Sequence, residues 1–422
     1  MKILLGFTAL FLYAGGFCAG VDNQIWFSSK FSFEKGLPAD KGTKNYFNSA
    51  SNYLFLSSSA ALTPYLGAEG IFSAGTYRFQ TPLQSDSRIN AAVNMLAARL
   101  KTGGFLFEIG RIFYGSKNTL MPYYGLYDNY FGVNSSALDG GYGSADFGKY
   151  FNLSAVYGRE TEDYFSDGEG TLAGAVLSAR PAAGVELAPF AYNFKTTNSA
   201  QMYKRNLRLY GAYLDFNLNG RASLYISYAA NKGKDDYFYN LIFSPGAYDY
   251  NGDAWLVKFN SENETRDMFY NLRFLYLNSS GGGISEMGFK SIHPYICLGS
   301  IFTNLNMPRG LNNDFFNASH YAGSADRLLA YNIGASLSPK VLRFLKIDFD
   351  MYSYADTLSY LRNSSLGSEI DAALTVTPVK NFDLSVIYAK FYPGQGFKDQ
   401  FLVKYVDVGD ITQLAFKAVI KF

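Results

Sequence analysis

Cysteine and histidine are almost missing from this chain, with two of each in 422 residues. Cys18 falls in an N-terminal stretch that reads as removable, which leaves Cys297 alone, so neither a disulfide framework nor a cysteine-held zinc is available. His293 and His320 are too few for ordinary metal chemistry, and neither has the nucleophile-and-acid setting of a hydrolase, so no enzymatic activity is expected. Charge is balanced, 37 Lys and Arg against 35 Asp and Glu, and no basic patch points to nucleic acid. No linker rich in Pro, Ser or charge divides the chain. Beyond the N-terminus no apolar run reaches the ~20 residues that a membrane-spanning helix needs. No cofactor is implied.

What is present begins with Met1 and Lys2, an apolar run over residues 3–17, and the small residues Cys18, Ala19 and Gly20. That is the layout of an export signal cut after Gly20. Residues 21–422 then form the mature chain, with 36 basic and 35 acidic side chains. A lipoprotein anchored through Cys18 is the other reading, opposed by bulky Phe17 in front of it. Aromatics make up 18% of the sequence, as 35 Tyr and 37 Phe but only 2 Trp. Girdles at the two faces of a membrane barrel give such an excess a physical use.

Alternation is clearest over residues 411–422. Leu414, Phe416, Ala418, Ile420 and Phe422 share one face, and Gln413, Ala415, Lys417, Val419 and Lys421 the other, so this is a strand between two different surroundings. Similar stretches fall at 24–33, 52–62, 66–74, 91–100, 105–112, 140–147, 151–159, 171–179, 185–194, 207–217, 222–231, 253–260, 268–277, 295–303, 328–337, 345–354, 369–377 and 382–391. Together they make nineteen. Short turns such as 63–65, 101–104, 148–150, 180–184 and 218–221 alternate with longer connections such as 113–139 and 232–252. The rhythm slips once, between 278 and 294, and a weak strand at 284–290 would restore it and bring the number to twenty. The expectation is all-β: one transmembrane antiparallel barrel of about 18–20 strands, with short periplasmic turns and long extracellular loops. A soluble β-sandwich is the competing fold.

Facing follows where the pattern is clean. Leu345, Ile347, Phe349 and Met351 point to lipid, and Lys346, Asp348, Asp350 and Tyr352 to the lumen. Ile370, Ala372, Leu374 and Val376 point out, and Glu369, Asp371 and Thr375 in. Over 268–277, Met268, Tyr270, Leu272, Phe274 and Tyr276 face outward and Asn271 and Arg273 inward. A mid-membrane Lys or Arg on the lipid face costs about 2–4 kcal/mol, so these charges require an aqueous interior.

Two stretches carry a family resemblance. Residues 366–399 contain a Gly-x-Glu-x-Asp strand, a short turn and a Phe-x-Pro-Gly strand end; residues 108–115, EIGRIFYG, are followed by Asp139-Gly140, with Ile112 where the family has Gln. They resemble the alginate-export type of bacterial outer-membrane barrel. That resemblance implies a passive conduit in the outer membrane, in the best-known case for an anionic polysaccharide, and a terminal aromatic strand read by the barrel-assembly machinery. The partners implied are the bilayer with its lipopolysaccharide and a hydrophilic solute or polysaccharide. By its match to the family's Gly-Arg, Arg111 is a candidate basic constriction residue, joined from the facing argument by Arg273, Lys346 and Lys417. Phe105, Phe107 and Ile109 share the parity of Arg111, however, and would turn it toward lipid. Asp348, Asp350, Glu369 and Asp371 line the same interior. A general diffusion porin therefore stands beside the polysaccharide reading, as does a surface adhesin using the loops 113–139 and 304–327, which could instead fold inward.

Overall fold

The computed structural model describes residues 20–36, 39–40, 46–81, 85–129, 132–160, 170–198, 203–218, 220–237, 246–282, 286–292, 295–304, 325–357, 364–399 and 406–422. Most of the expected leader, with Cys18, lies outside the described residues, as do His293 and His320.

Eighteen strands form the wall: β1 (Gly20–Lys35), β2 (Tyr46–Ala61), β3 (Leu66–Gln80), β4 (Ser85–Thr102), β5 (Phe105–Ile112), β6 (Leu138–Phe147), β7 (Phe151–Glu160), β8 (Gly170–Ala182) and β9 (Val185–Asn198). The second half adds β10 (Tyr203–Leu218), β11 (Ala222–Tyr237), β12 (Gly246–Glu264), β13 (Met268–Ser279), β14 (Leu328–Pro339), β15 (Leu345–Asp356), β16 (Ser365–Val379), β17 (Phe382–Pro393) and β18 (Ile411–Lys421). Each runs antiparallel to its neighbours in sequence. β18 then pairs with β1, Trp26 opposite Lys421 and Lys35 opposite Thr412, so the sheet closes and leaves no open edge.

The period-two pattern decides which face each side chain takes. On β15, Ile347, Phe349 and Met351 are exposed on the outside while Asp348, Asp350 and Tyr352 turn in; on β18, Leu414 and Phe416 are outside while Gln413 and Ala415 are buried within. Phe105, Phe107, Leu153, Trp255, Leu272, Phe274, Ile333 and Leu384 continue the outward apolar belt. Tight turns at one rim use glycine where the chain must reverse: Gly103, Gly148, Gly184 and Gly220 all have φ between 55° and 75°. The opposite rim carries the longer connections, including 113–137 between β5 and β6 and 280–327 between β13 and β14.

The stretch 295–303, expected as a strand, is not part of the wall. β13 pairs directly with β14 over residues 268–278 and 329–339, leaving no slot between them. Of the weak strand expected at 284–290, residues 284–285 lie outside the described residues, and among the others Glu286–Met287 make a two-residue parallel pairing beside Asp249 and Tyr250 of β12. The odd number is thus corrected by removing one strand rather than adding one. Ile296 and Leu298 alternate around Cys297 like a half-buried strand, but they are buried inside the barrel, and Gly299, at φ 81°, ends the extension. A 3-10 turn follows at Phe302–Asn304.

Candidate functional site

Among the described residues, two long connections fold into the lumen instead of away from it. In the first, Tyr114 and Tyr124 form a bridge in which each backbone N–H bonds the other's carbonyl at 2.7–2.8 Å. Gly115 makes the inward turn at φ 79°, where a Cβ would lie 1.9 Å from the Pro122 carbonyl oxygen. A small hairpin, Leu126–Asn129 with Gly132–Ser135, then packs toward β1 and β2. Side-chain hydrogen bonds tie the loop to the wall. The Tyr114 and Tyr192 hydroxyls are 2.8 Å apart, the Tyr124 hydroxyl donates to Glu160 at 2.7 Å, and the Ser135 hydroxyl donates to Asn94 at 2.7 Å.

The second infolded segment runs through 288–292 and 295–304 and reaches from β11 to β17. Lys290 N–H donates to Asn231 at 3.2 Å, and Phe302 stacks on Tyr354 with ring centroids 3.8 Å apart and Phe391 beyond. Fully buried Glu369 accepts the backbone N–H groups of Ile301 at 2.6 Å and Phe302 at 2.9 Å, and Asp371 accepts that of Ser300 at 2.8 Å. Gly299 permits this approach, since a Cβ there would come 2.6 Å from the Glu369 carboxyl carbon. At the far end, Lys290 meets Asp326 at 2.6 Å and Ser291 donates to the same carboxylate from its amide at 2.7 Å and from its hydroxyl. Burial alone would raise the Asp326 carboxyl; Lys290 and Ser291 outweigh it and hold the group below the usual carboxylate range. This clamp is present at neutral pH and weakens as acid protonates the carboxylate.

The two segments meet. Asn118 N–H donates to the Tyr295 carbonyl at 2.8 Å, and Cys297 N–H donates to the Asn118 side-chain oxygen at 2.7 Å. The Lys117 ammonium sits 5.3 Å from the Tyr295 ring centroid, with Tyr123 and Tyr127 beside that ring. The two segments are thus bonded to each other inside the barrel.

Around them the wall carries charges that largely compensate one another. Arg273 of β13 reaches over β14 to Asp350 of β15 at 2.8 Å and Asp348 at 3.4 Å, and Lys346 meets Asp348 at 3.0 Å. Gly334 lies beneath that reach: a Cβ there would stand 1.9 Å from an Asp350 carboxylate oxygen. Elsewhere Arg99 bridges Glu69 and Glu108, Arg180 meets Glu186, and Arg327 meets Asp356. Except for Arg327, which precedes β14, these partners come from neighbouring strands; none was singled out from sequence, and the signal of the strand pairs is inward parity.

Of the residues expected to line the pore, Arg273, Lys346, Asp348, Asp350, Glu369, Asp371 and Lys417 lie on the inward face, but in distinct settings. Glu369 and Asp371 are not open to a passing solute; they hold the second infolded segment. Lys417 stands opposite Lys30 of β1. Arg111 is a correction. The register runs unbroken through Gly110 despite its φ of 131°, with Leu96 opposite Arg111 and Leu138 opposite Ile112. Arg111 therefore stays on the outward face with Phe107 and Ile109, while Ile112 is buried inside. There its guanidinium donates to both Asp139 oxygens at 3.0 and 3.2 Å and to the Val93 carbonyl at 3.1 Å.

No protein-family model and no curated protein sequence matches the chain. Solved structures do match it in fold. Pseudomonas aeruginosa OccK7 (OpdD) aligns over 96% of this chain and 99% of its own, at 11% identity and a TM-score of 0.58. OccK9 (OpdG) of the same organism aligns over 96% and 99%, at 10% identity and a TM-score of 0.58. OccK2 (OpdF), in complex with glucuronate, aligns over 95% and 98%, at 11% identity and a TM-score of 0.55. The fold is that of an 18-stranded outer-membrane porin, an integral membrane architecture. The narrower likeness to alginate-export barrels finds no support in these similarities.

Proposed function

We propose that this chain is an outer-membrane channel passing small hydrophilic solutes by passive diffusion, without chemistry of its own. Its N-terminal segment directs export, and its short-turn rim faces the periplasm. The observation that carries the reading is the junction of the two infolded segments inside a closed, charged lumen. A conduit for an anionic polymer would instead be served by a continuous run of uncompensated Lys and Arg and a wide bore. Here Arg99, Arg180, Arg273 and Arg327 are each held by carboxylates, which favours small solutes over polysaccharide. The adhesin reading loses one of its two loops, because 113–137 is anchored in the lumen; residues 305–324 of the other lie outside the described residues.

Reconstitution into a planar bilayer is expected to give discrete conductance steps; a folded protein that never conducts would overturn the channel reading. Selectivity supplies a finer check. Arg273→Gln leaves Asp348 and Asp350 short of their guanidinium, and the cation-to-anion permeability ratio is expected to rise about two- to threefold. Arg111→Gln, on the outward face, is expected to leave the reversal potential in a salt gradient where it was. Equal shifts from both variants would contradict the assignment of faces.

A further inference from the structure

Where the first infolded loop approaches β6 to β10, it borders an open hollow of about 740 Å³, within the ~300–1,000 Å³ range of small-molecule sites. We propose that this chamber binds one neutral sugar ring during passage, an inference that rests on the channel reading and names a substrate class for it.

The rings around the hollow are set at angles. Tyr114 and Tyr142 lie 5.9 Å apart at 52°, and Tyr114 and Tyr192 lie 6.2 Å apart at 70°, so they do not close face to face upon one another. Tyr213 completes the lining from β10. Aromatic faces of this kind take the C–H face of a pyranose, while hydroxyls and amides at their edges take its hydroxyl rim. Two groups lining the hollow are open for that purpose: among the described residues, no protein group bonds the Tyr142 or the Ser154 hydroxyl. Asn152 gives one amide hydrogen to Asp146 at 2.8 Å and keeps its carbonyl oxygen for a donor.

Charge separates a neutral ring from its ionic relatives. Glu108 lines the hollow but is bound by Arg99 at 2.7 Å, and Arg99 is itself shared with Glu69. Glu186, behind Tyr213 and Ser178, accepts both hydroxyls and meets Arg180 at 3.0 Å. Lys117 rests over the Tyr123 and Tyr295 rings. A carboxylate-bearing solute would have to compete for cations already engaged, and a cationic solute would have to strip Arg99 or Arg180 from its partner. Neither penalty falls on a neutral ring.

The test uses the full-length barrel in a planar bilayer, where ion conductance is recorded first and solute block second. Maltose is expected to reduce the current with millimolar half-block, and sorbitol, an acyclic polyol, to act roughly tenfold more weakly. Glucuronate, the anionic ring, is expected to fall on the weak side with sorbitol. Tyr142→Leu is expected to weaken maltose block roughly tenfold, normalised to its own conductance, while the outward control Tyr157→Leu keeps the native value. Equal block by maltose and sorbitol would reduce the effect to volume exclusion and overturn the proposal, as would tighter block by glucuronate or an unaltered half-block in a folded Tyr142→Leu. If the barrel folds and never conducts, the channel reading falls alone; quenching of tyrosine fluorescence by maltose in micelles, absent in Tyr142→Leu, then supports the subsite, and no quenching removes it.

Discussion

Replacing Glu369 with alanine, together with Phe302→Ala, is expected to raise single-channel conductance about two- to threefold while the barrel stays folded. The Glu369 carboxylate is fully buried and accepts the two consecutive backbone N–H groups of Ile301 and Phe302. Without it those amides lose their partner in a site withdrawn from bulk water, at a cost of about 1–3 kcal/mol each. Removing the Phe302 ring also deletes its 3.8 Å stack on Tyr354 and its contact with Phe391. At that end the segment then keeps Ser300 on Asp371 and the Leu298 carbonyl, which accepts the Tyr354 hydroxyl at 2.9 Å, but has lost the paired amide anchor and the ring stack. The wall survives because β13 and β14 pair with each other directly and need nothing from the segment between them. Conductance, exclusion of neutral polymers of graded size, and heat-modifiable gel mobility measure opening and folding separately. A folded double variant with native conductance and native polymer cut-off would show that the segment does not set the bore.

The wall is legible in the sequence because every strand lies between lipid and a filled or aqueous interior, and two environments enforce a period of two. Residues 345–354 and 411–422 show this plainly, and the charges of β15 find Arg273 on the side their parity requires. The infolded segments are illegible for the same reason. Residues 295–303 alternate because one side packs on the inner wall, and nothing local distinguishes that wall from a neighbouring strand. Parity within β9 is no clearer guide: Ala188, Phe190, Tyr192 and Phe194 all point inward and are buried, an apolar face turned toward the lumen. Arg111 carried two opposed signals: a motif match offered it to the pore, its parity with Phe105, Phe107 and Ile109 turned it outward, and the unbroken register through Gly110 agrees with the parity.

The motifs behind the family resemblance acquire a physical meaning from these contacts. Glu369 and Asp371, two residues apart on β16, point the same way and receive the second segment; Phe391 closes over it with Phe397 behind. Tyr114 and Gly115 begin the first segment and turn it inward. Gly140, opposite, admits the neighbouring strand closely, since a Cβ there would lie 2.1 Å from the Tyr157 carbonyl oxygen. These short patterns mark fastening points for what fills the barrel. They specify how the lumen is narrowed rather than what passes through it, which is why the barrel transfers across distant sequences more readily than a substrate does.

Arginine in place of Ile333 is expected to abolish most folded barrel in lipid vesicles. Ile333 is two-thirds exposed on the outer face at the middle of β14, with Phe274 opposite it on β13 and Met351 on β15. In water an exposed isoleucine among apolar neighbours gains from a charge, so a soluble barrel would tolerate or welcome the change. In a bilayer the same residue meets hydrocarbon, and arginine near the midplane costs about 2–4 kcal/mol, roughly a 30- to 900-fold loss in the folding equilibrium. Depth supplies the internal control. Val341 is exposed in the short turn after β14, where the cost falls to about 0–1 kcal/mol, so Val341→Arg is expected to fold nearly as well as the parent. Urea titration in vesicles, read by heat-modifiable mobility, measures both variants on one scale. Equal stability of Ile333→Arg and Val341→Arg would mean that the apolar belt does not face lipid.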